Sequence, residues 1–136
     1  MLGVGMQTLL TFEKSVPFVD TDMAGIVHFS KVLCYVEEAE HAAMSKIGVP
    51  VMSKEGGFPK VHVDCDYKSP LKFQDVVSVS LNLVKVGGRS LTWSFVVRVG
   101  DKISAEGGFV TVYTSRSAGG SVIQDAQRIL LESHLS

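Results

Sequence analysis

The stretch SKVLCYVEEAEHAAMSKI, from Ser30 to Ile47, decides the fold prediction because it is the one long segment with helical spacing. Its apolar residues recur every three or four positions, as on one buried face of a helix. Those residues are Val32, Tyr35, Val36, Ala39, Ala43 and Ile47. Ser30 is a suitable N-cap, and Gly48 and Pro50 end the segment. We therefore predict one long helix that can approach a sheet closely through its alanines.

Elsewhere the pattern changes to strict alternation of apolar and polar residues, which is typical of half-buried antiparallel strands. The predicted strands run over residues 10–18, 60–69, 77–86, 91–99 and 103–114. Gly87-Gly88 and Gly100-Asp101 supply the turns between consecutive strands. Gly107-Gly108 interrupts the last strand and is interpreted as a bulge. A shorter helix is expected over about Ile123 to His134.

This order of elements predicts an α+β domain, residues 1–136, in which one five-stranded antiparallel sheet carries one long helix. We expect such a sheet to curl around the helix or to pair with another subunit. The sequence contains 46% hydrophobic residues and has a net charge of −1, with 13 basic and 14 acidic residues. This balance gives no electrostatic reason to expect nucleic acid or an anionic membrane as a partner.

The two cysteines and the N-terminus bear on the cellular compartment. Cys34 and Cys65 lack the spacing of a metal site, so free buried thiols in a reducing compartment are expected. The first residues, MLGVGMQTLL, lack a basic region, and no apolar run approaches the length of a membrane span. These features favour a cytoplasmic protein.

The segment VDTDMAGIVHF, from Val19 to Phe29, precedes the helix and combines two carboxylates with apolar neighbours. Three roles are open for Asp20 and Asp22. They can belong to a solvated turn, cap the helix that follows, or supply a catalytic carboxylate. From the residues alone, a turn and a catalytic role for Asp22 are about equally supported.

The segment and its surroundings resemble the 4-hydroxybenzoyl-CoA thioesterase family of hot-dog folds. The matching residues, in family order, are Asp20, Asp22, Gly25, Val27, Tyr67, Pro70 and Asp75. The resemblance covers roughly Leu10 to Tyr113. It implies a five-stranded antiparallel sheet wrapped around the long helix, with homodimers or homotetramers that pair sheets edge to edge. It also implies hydrolysis of an acyl-CoA thioester, with Asp22 as the catalytic carboxylate.

Within this hypothesis, Asp22 attacks the thioester carbonyl or activates a water molecule. The N-terminus of the helix, represented by the backbone N–H of Phe29, holds the oxyanion. Gly25 permits the turn, and Ile26 and Val27 form walls that keep the carboxylate poorly solvated. Asp20 is predicted to order the loop through an Asx-type turn.

Further substrate-binding candidates lie outside this loop or at its end. His28 contacts substrate or the leaving group, or is a surface or hydrogen-bonded structural histidine. Glu37 orders water or supports Asp22, or is a solvated or dimer-facing glutamate. Lys85 and Arg89 flank the Gly87-Gly88 turn and are candidates for the phosphates of CoA. No metal and no separate cofactor are expected, since CoA is part of the substrate.

Three alternative functions stay open. The first is hydrolysis of acyl-carrier-protein thioesters, which a basic docking surface would favour. The second is a non-catalytic acyl-CoA-binding module, against which the presence of Asp22 and Gly25 argues. The third is a hydratase, which needs a paired aspartate and histidine that the sequence does not clearly offer.

Overall fold

The computed structural model describes residues 8–117 and 119–136, which form a five-stranded antiparallel sheet with a long helix packed on it. The helices are α1 (Phe29–Ile47) and α2 (Asp125–Glu132), and a short 3-10 helix spans Phe18–Asp20. The strands are β1 (Leu10–Ser15), β2 (Gly56–Gly57), β3 (Lys60–Tyr67), β4 (Val76–Val86), β5 (Ser90–Val99), β6 (Lys102–Val112), β7 (Thr114–Ser115) and β8 (Gly119–Gly120). The main sheet has the order β1-β4-β5-β6-β3, and β2, β7 and β8 form a small second sheet. The predicted α+β class and strand arrangement are confirmed, and the predicted start of the domain, residues 1–7, lies outside the described residues.

Helix α1 begins at Phe29, and the prediction that Ser30 is its N-cap is wrong. The N-cap is His28, whose backbone is extended and whose ring Nδ1 accepts a hydrogen bond from the Ser30 N–H at 3.3 Å. The imidazole nitrogen thereby takes the place of the usual side-chain oxygen at this position. The helix ends as predicted at Gly48, which has a φ of 95° in the left-handed region.

The core lies between one face of α1 and the inner face of the sheet. Ala39 and Ala43 are completely buried, so the helix backbone comes close to the strands. Strands β4, β5 and β6 contribute the large apolar side chains opposite, among them Leu81, Trp93 and Phe109. The apolar face that the helical spacing predicts is therefore the face of α1 that is buried against the sheet.

Strand β6 continues without interruption through Gly107 and Gly108, so the predicted bulge is wrong. Both glycines pair in register with β3 on one side and β5 on the other. A Cβ atom on Gly107 would overlap the carbonyl oxygen of Asp64, and one on Gly108 would lie 2.7 Å from the carbonyl oxygen of Trp93. Glycine is needed here because neighbouring backbones approach closely, which also explains glycine in a strand interior.

Strand β3 is an edge strand, and the apolar face predicted for it is exposed in the single chain. Val61 and Val63 keep 61% and 43% of their surface accessible. Helix α1 packs mainly against β1 and β4, and it reaches β3 through the Glu40–Lys60 ion pair and the Phe29–Tyr67 hydrogen bond, which leave Val61 and Val63 partly exposed. The exposed valines and the unpaired backbone groups of β3 form a surface that we call the β3 edge.

The remaining boundaries differ slightly from prediction. Strand β1 ends at Ser15, before Pro17 and the 3-10 helix, and α2 is shorter than expected and is buried through Leu131. Among the described residues, neither helix combines the length and apolar character that crossing a bilayer demands. The prediction that both thiols are buried is wrong, because Cys34 lies on the exposed face of α1 and Cys65 is only partly buried on the edge strand β3.

Candidate active site

The segment from Asp20 to His28 doubles back on itself as a tight hairpin immediately before α1. Thr21 and Val27 form an antiparallel bridge, and the Asp22 N–H donates to the Ile26 carbonyl oxygen at 2.9 Å. The Val27 N–H also donates to the Leu71 carbonyl oxygen at 2.8 Å, which attaches the hairpin to the segment that follows β3. We call this segment, residues 20–28, the Asp22 hairpin.

Asp22 begins the turn at the tip of the Asp22 hairpin. Its Oδ1 accepts a hydrogen bond from the Ala24 N–H at 2.8 Å, and its carbonyl oxygen accepts one from the Gly25 N–H at 2.9 Å. Gly25 has a φ of 80°, a conformation that favours glycine, as the sequence predicted. Within the described residues, Oδ2 of Asp22 has no hydrogen-bond partner. The carboxylate is thus fixed by one oxygen while the other is available.

Two sequence predictions about the aspartates are wrong. Asp22 is exposed in the single chain and not poorly solvated, although Ile26 and Val27 line the same cleft. The Asx-type turn expected of Asp20 is made by Asp22. Asp20 instead accepts a hydrogen bond at Oδ2 from the Tyr35 hydroxyl, at 2.6 Å. It orders the hairpin through the helix and not through a local turn.

The helical spacing predicts Tyr35 only as a core residue, and the structure shows a further contact. Its side chain is 1% exposed, and its hydroxyl reaches Asp20 from the second turn of α1. Burial raises the pKa of Tyr35 well above its ordinary value, and the hydrogen bond to the Asp20 carboxylate raises it further. The phenol is therefore a permanent hydrogen-bond donor to Asp20.

A cleft of about 390 Å³ lies beside Asp22, between the Asp22 hairpin, the first turn of α1 and the chain that leaves β3. Its walls are largely apolar. They include Ile26, Val27, Val32, Pro70, Leu71 and Ala105. The polar groups that border it are Asp22, His28, Tyr67, Lys68, Ser69 and Ser104. We call this cavity the Asp22 cleft.

The N-terminus of α1 borders the Asp22 cleft at Phe29. In the described part of the chain, the backbone N–H of Phe29 makes no hydrogen bond, as is usual in the first turn of a helix. The Phe29 carbonyl oxygen accepts a hydrogen bond from the Tyr67 hydroxyl at 3.0 Å. Burial raises the pKa of Tyr67 to about 12, with Cys65 adding to the shift, so this hydroxyl stays protonated. The free N–H and the helix dipole favour an anion at this point.

Of the two remaining candidates near α1, His28 borders the Asp22 cleft and Glu37 does not. His28 borders the cleft, but its Nδ1 is engaged with the Ser30 hydroxyl at 2.8 Å. Glu37 lies eight residues beyond Phe29, about 12 Å along the helix. It is 61% exposed at the side chain and lies 3.7 Å from Lys60, outside the cleft lining. Within one chain, the structure does not bring Glu37 to Asp22.

Lys85 and Arg89 lie at the opposite end of the sheet from the cleft. Val86, next to Lys85, pairs with Leu91 of β5, whereas Ala105 in the cleft wall pairs with Val97. Six residues of extended strand separate these positions, or about 20 Å. A single chain therefore does not bring either cation to the Asp22 cleft, and a role for them at that cleft needs a second copy.

The cation that does border the cleft is Lys68, which the sequence analysis left aside. Its Nζ lies 3.3 Å from the Glu106 carboxylate, and its side chain is 48% exposed. The sequence signal was its position directly after Tyr67 and before Pro70, two residues of the motif. In the described residues, no group of three or more His, Cys, Asp or Glu side chains is arranged to hold a metal ion.

The sequence is similar to a known protein family and to several of its named members. Residues 24–106 match the thioesterase superfamily, and this match starts two residues after Asp22. A protein of Aquifex aeolicus that carries an esterase name is 35% identical over 89 residues, covering 63% of this chain and 70% of that protein. A 1,4-dihydroxy-2-naphthoyl-CoA hydrolase from Synechococcus elongatus is 32% identical over 81 residues, covering 56% of this chain and 60% of the hydrolase.

Among solved structures, the BH1999 gentisyl-coenzyme A thioesterase superposes with a TM-score of 0.82 at 26% identity, covering 90% of this chain and 99% of that one. The predicted hot-dog fold is confirmed, and so, at the level of the family, is the prediction of a thioester hydrolase. The narrower resemblance to 4-hydroxybenzoyl-CoA thioesterases is not confirmed by these matches. The chain belongs to the thioesterase superfamily.

Proposed function

We propose that this protein hydrolyses acyl-CoA thioesters, with Asp22 as nucleophile or general base. The observation that supports the proposal is the available Oδ2 of Asp22 at a largely apolar cleft whose lining also includes the first turn of α1. In this proposal, an acyl group bound in the cleft presents its carbonyl carbon to the Asp22 carboxylate and its carbonyl oxygen to the Phe29 N–H.

Two chemical routes are compatible with this arrangement. In the first, an oxygen of Asp22 adds to the thioester carbonyl carbon, and the C–S bond of the tetrahedral intermediate breaks to release the CoA thiolate. This leaves a mixed anhydride on Asp22, which water hydrolyses to the free acid and the Asp22 carboxylate. In the second, Asp22 removes a proton from water as the water attacks. Both routes place negative charge on the carbonyl oxygen, which the Phe29 N–H and the helix dipole stabilise.

The substrate we propose is an aromatic acyl-CoA. The relatives named above act, by their names, on 1,4-dihydroxy-2-naphthoyl-CoA and gentisyl-CoA, and the largely apolar cleft is suited to a ring. Lys68 at the cleft border is a candidate for the phosphates of CoA. The exposed position of Asp22 in one chain supports a homodimer formed at the β3 edge, because Tyr67 of that edge also borders the cleft.

The test is the Asp22→Asn variant, assayed for thiol release from aromatic and aliphatic acyl-CoAs. The amide is nearly isosteric and keeps the oxygen that accepts from the Ala24 N–H, so the hairpin should persist. We expect a loss of about 10²–10⁴-fold in kcat, the usual contribution of an acid–base group. Asp20→Asn, which retains an acceptor for Tyr35, is the matched control and should lose far less. Near wild-type turnover by Asp22→Asn would rule out the catalytic assignment.

A further inference from the structure

The Asp22 hairpin is joined to α1 by a partly buried hydrogen bond that the chemistry above does not use. The Tyr35 hydroxyl donates to Asp20 Oδ2 at 2.6 Å, and Tyr35 is 1% exposed. A short bond from a neutral donor to a carboxylate is charge-assisted and stronger than a neutral one. Since water has little access to the phenol, removing the hydroxyl would leave Asp20 without an equivalent partner from the helix.

Asp20 lies at the base of the Asp22 hairpin, and its backbone contacts link its position to that of Asp22. Its carbonyl oxygen accepts from the His28 N–H at 3.2 Å, and the adjacent Thr21 bridges to Val27. Asp22 follows directly after Thr21. A displacement of Asp20 away from α1 therefore moves the start of the turn that holds the Asp22 carboxylate.

The second attachment of the hairpin is independent of Tyr35. It consists of the Val27 N–H bonded to the Leu71 carbonyl oxygen and the bridge between Ile26 and Lys72. These bonds hold the apolar wall of the cleft. Loss of the Tyr35 hydroxyl should therefore disturb the position of Asp22 relative to the helix N-terminus and leave the apolar wall in place.

We propose that Tyr35 is a positioning residue, which acts through Asp20 to hold the Asp22 carboxylate at the correct distance from the N-terminus of α1. This inference rests on the proposed role of Asp22. The other charged groups around the ring are Lys14, whose Nζ lies 5.6 Å from the ring centroid, and Glu38, which pairs with Lys14. Neither of them is bonded to the hydroxyl, so Asp20 is its acceptor.

The first experiment is Tyr35→Phe, which removes only the hydroxyl oxygen. We expect kcat to fall about 10- to 100-fold, since misplacement by about 1 Å can cost about 10²-fold. The KM should stay within about twofold, because the residues lining the cleft do not include Tyr35. Tyr113→Phe is the matched control: Tyr113 is also buried, at 2% exposure, but it packs on Phe58 away from the cleft. Its kcat should be unchanged.

The second experiment is a double-mutant cycle of Tyr35→Phe with Asp20→Ala. If Tyr35 acts through Asp20, the double variant has the kcat of the worse single variant, whereas independent roles give multiplied losses. Asp20→Asn keeps an acceptor and should recover most of the kcat lost in Asp20→Ala. If Tyr35→Phe does not fold, Asp20→Ala alone decides, and a normal kcat in that variant overturns the proposal.

The outcomes separate this inference from the proposed function. A folded Tyr35→Phe protein with wild-type kcat, or losses that multiply in the cycle, would overturn the positioning role of Tyr35. An inactive Asp22→Asn protein would still support the catalytic role of Asp22 in that case. An active Asp22→Asn protein would instead remove the catalytic role on which both ideas depend. Merely structural packing by Tyr35 would lower the melting temperature without the selective loss of kcat.

Discussion

The ion pair between Glu40 and Lys60 offers the sharpest test of how the fold is stabilised. Glu40 lies on the buried face of α1 and is 1% exposed, and its Oε1 lies 2.6 Å from the Lys60 Nζ. That Nζ also lies 4.5 Å from the centroid of the Phe109 ring. The perturbation is Lys60→Met, which keeps the aliphatic stem and removes the charge.

The expected destabilisation at pH 8 is about 3–5 kcal/mol, the usual result of leaving one member of a buried ion pair without its partner. A typical domain has about 5–15 kcal/mol of stability in total, so the effect should be large. Replacing both members, by Lys60→Met with Glu40→Gln, should cost less because no charge is then left buried.

The loss should depend on pH in a direction that follows from the pKa of Glu40. Burial raises that pKa above the ordinary value, while Lys60 and, to a smaller extent, His41 lower it, and Glu37 raises it. Removing Lys60 raises it further. A carboxyl whose pKa is raised in the folded state contributes stability that is present at low pH and is lost as the pH rises through the folded-state value. The deficit of Lys60→Met should therefore shrink from pH 8 to pH 5.

The assay is urea unfolding at a fixed protein concentration, at pH 5 and at pH 8. Lys14→Met is the control, because the Lys14–Glu38 pair has a similar separation of 3.1 Å but side chains that are 28% and 44% exposed. Such a pair is typically worth less than about 1 kcal/mol. A Lys60→Met loss as small as that of the control, and equal at both pH values, would refute the reasoning.

Two other predictions concern the substrate and the assembly. Lys68→Ala should raise KM several-fold for an acyl-CoA but not for the corresponding acyl-pantetheine, because a phosphate contact stabilises the bound substrate and the transition state equally. The measurement is steady-state kinetics with both substrates, and equal changes in KM would exclude Lys68 from the CoA site. Arg89→Ala should show the same selectivity only if a second copy brings Arg89 to the cleft. Light scattering at micromolar concentration should show a dimer or tetramer, because the β3 edge exposes Val61, Val63 and unpaired backbone groups; a monomer would contradict this.

Local features of the sequence determined the elements and the turn that carries Asp22. Helical spacing located the start of α1 to within two residues, and alternation located the five strands of the main sheet. Gly25 and Gly48 were predicted at positions that have positive φ. These predictions succeeded because periodicity and backbone sterics act between residues that are close in sequence. The resemblance to a family added the hot-dog arrangement and the proposed role of Asp22.

The tertiary structure alone decided which polar residues meet. Three glutamates follow one another closely in α1, and only packing makes Glu40 the buried one that pairs with Lys60. The partner of Asp20 is Tyr35, fifteen residues away, and not a neighbouring amide. Lys85 and Arg89 are separated from the Asp22 cleft by the strand order, in which sequence neighbours and spatial neighbours differ. Such contacts depend on how distant segments are brought together by burial of the core, a non-local effect that spacing along the chain does not encode.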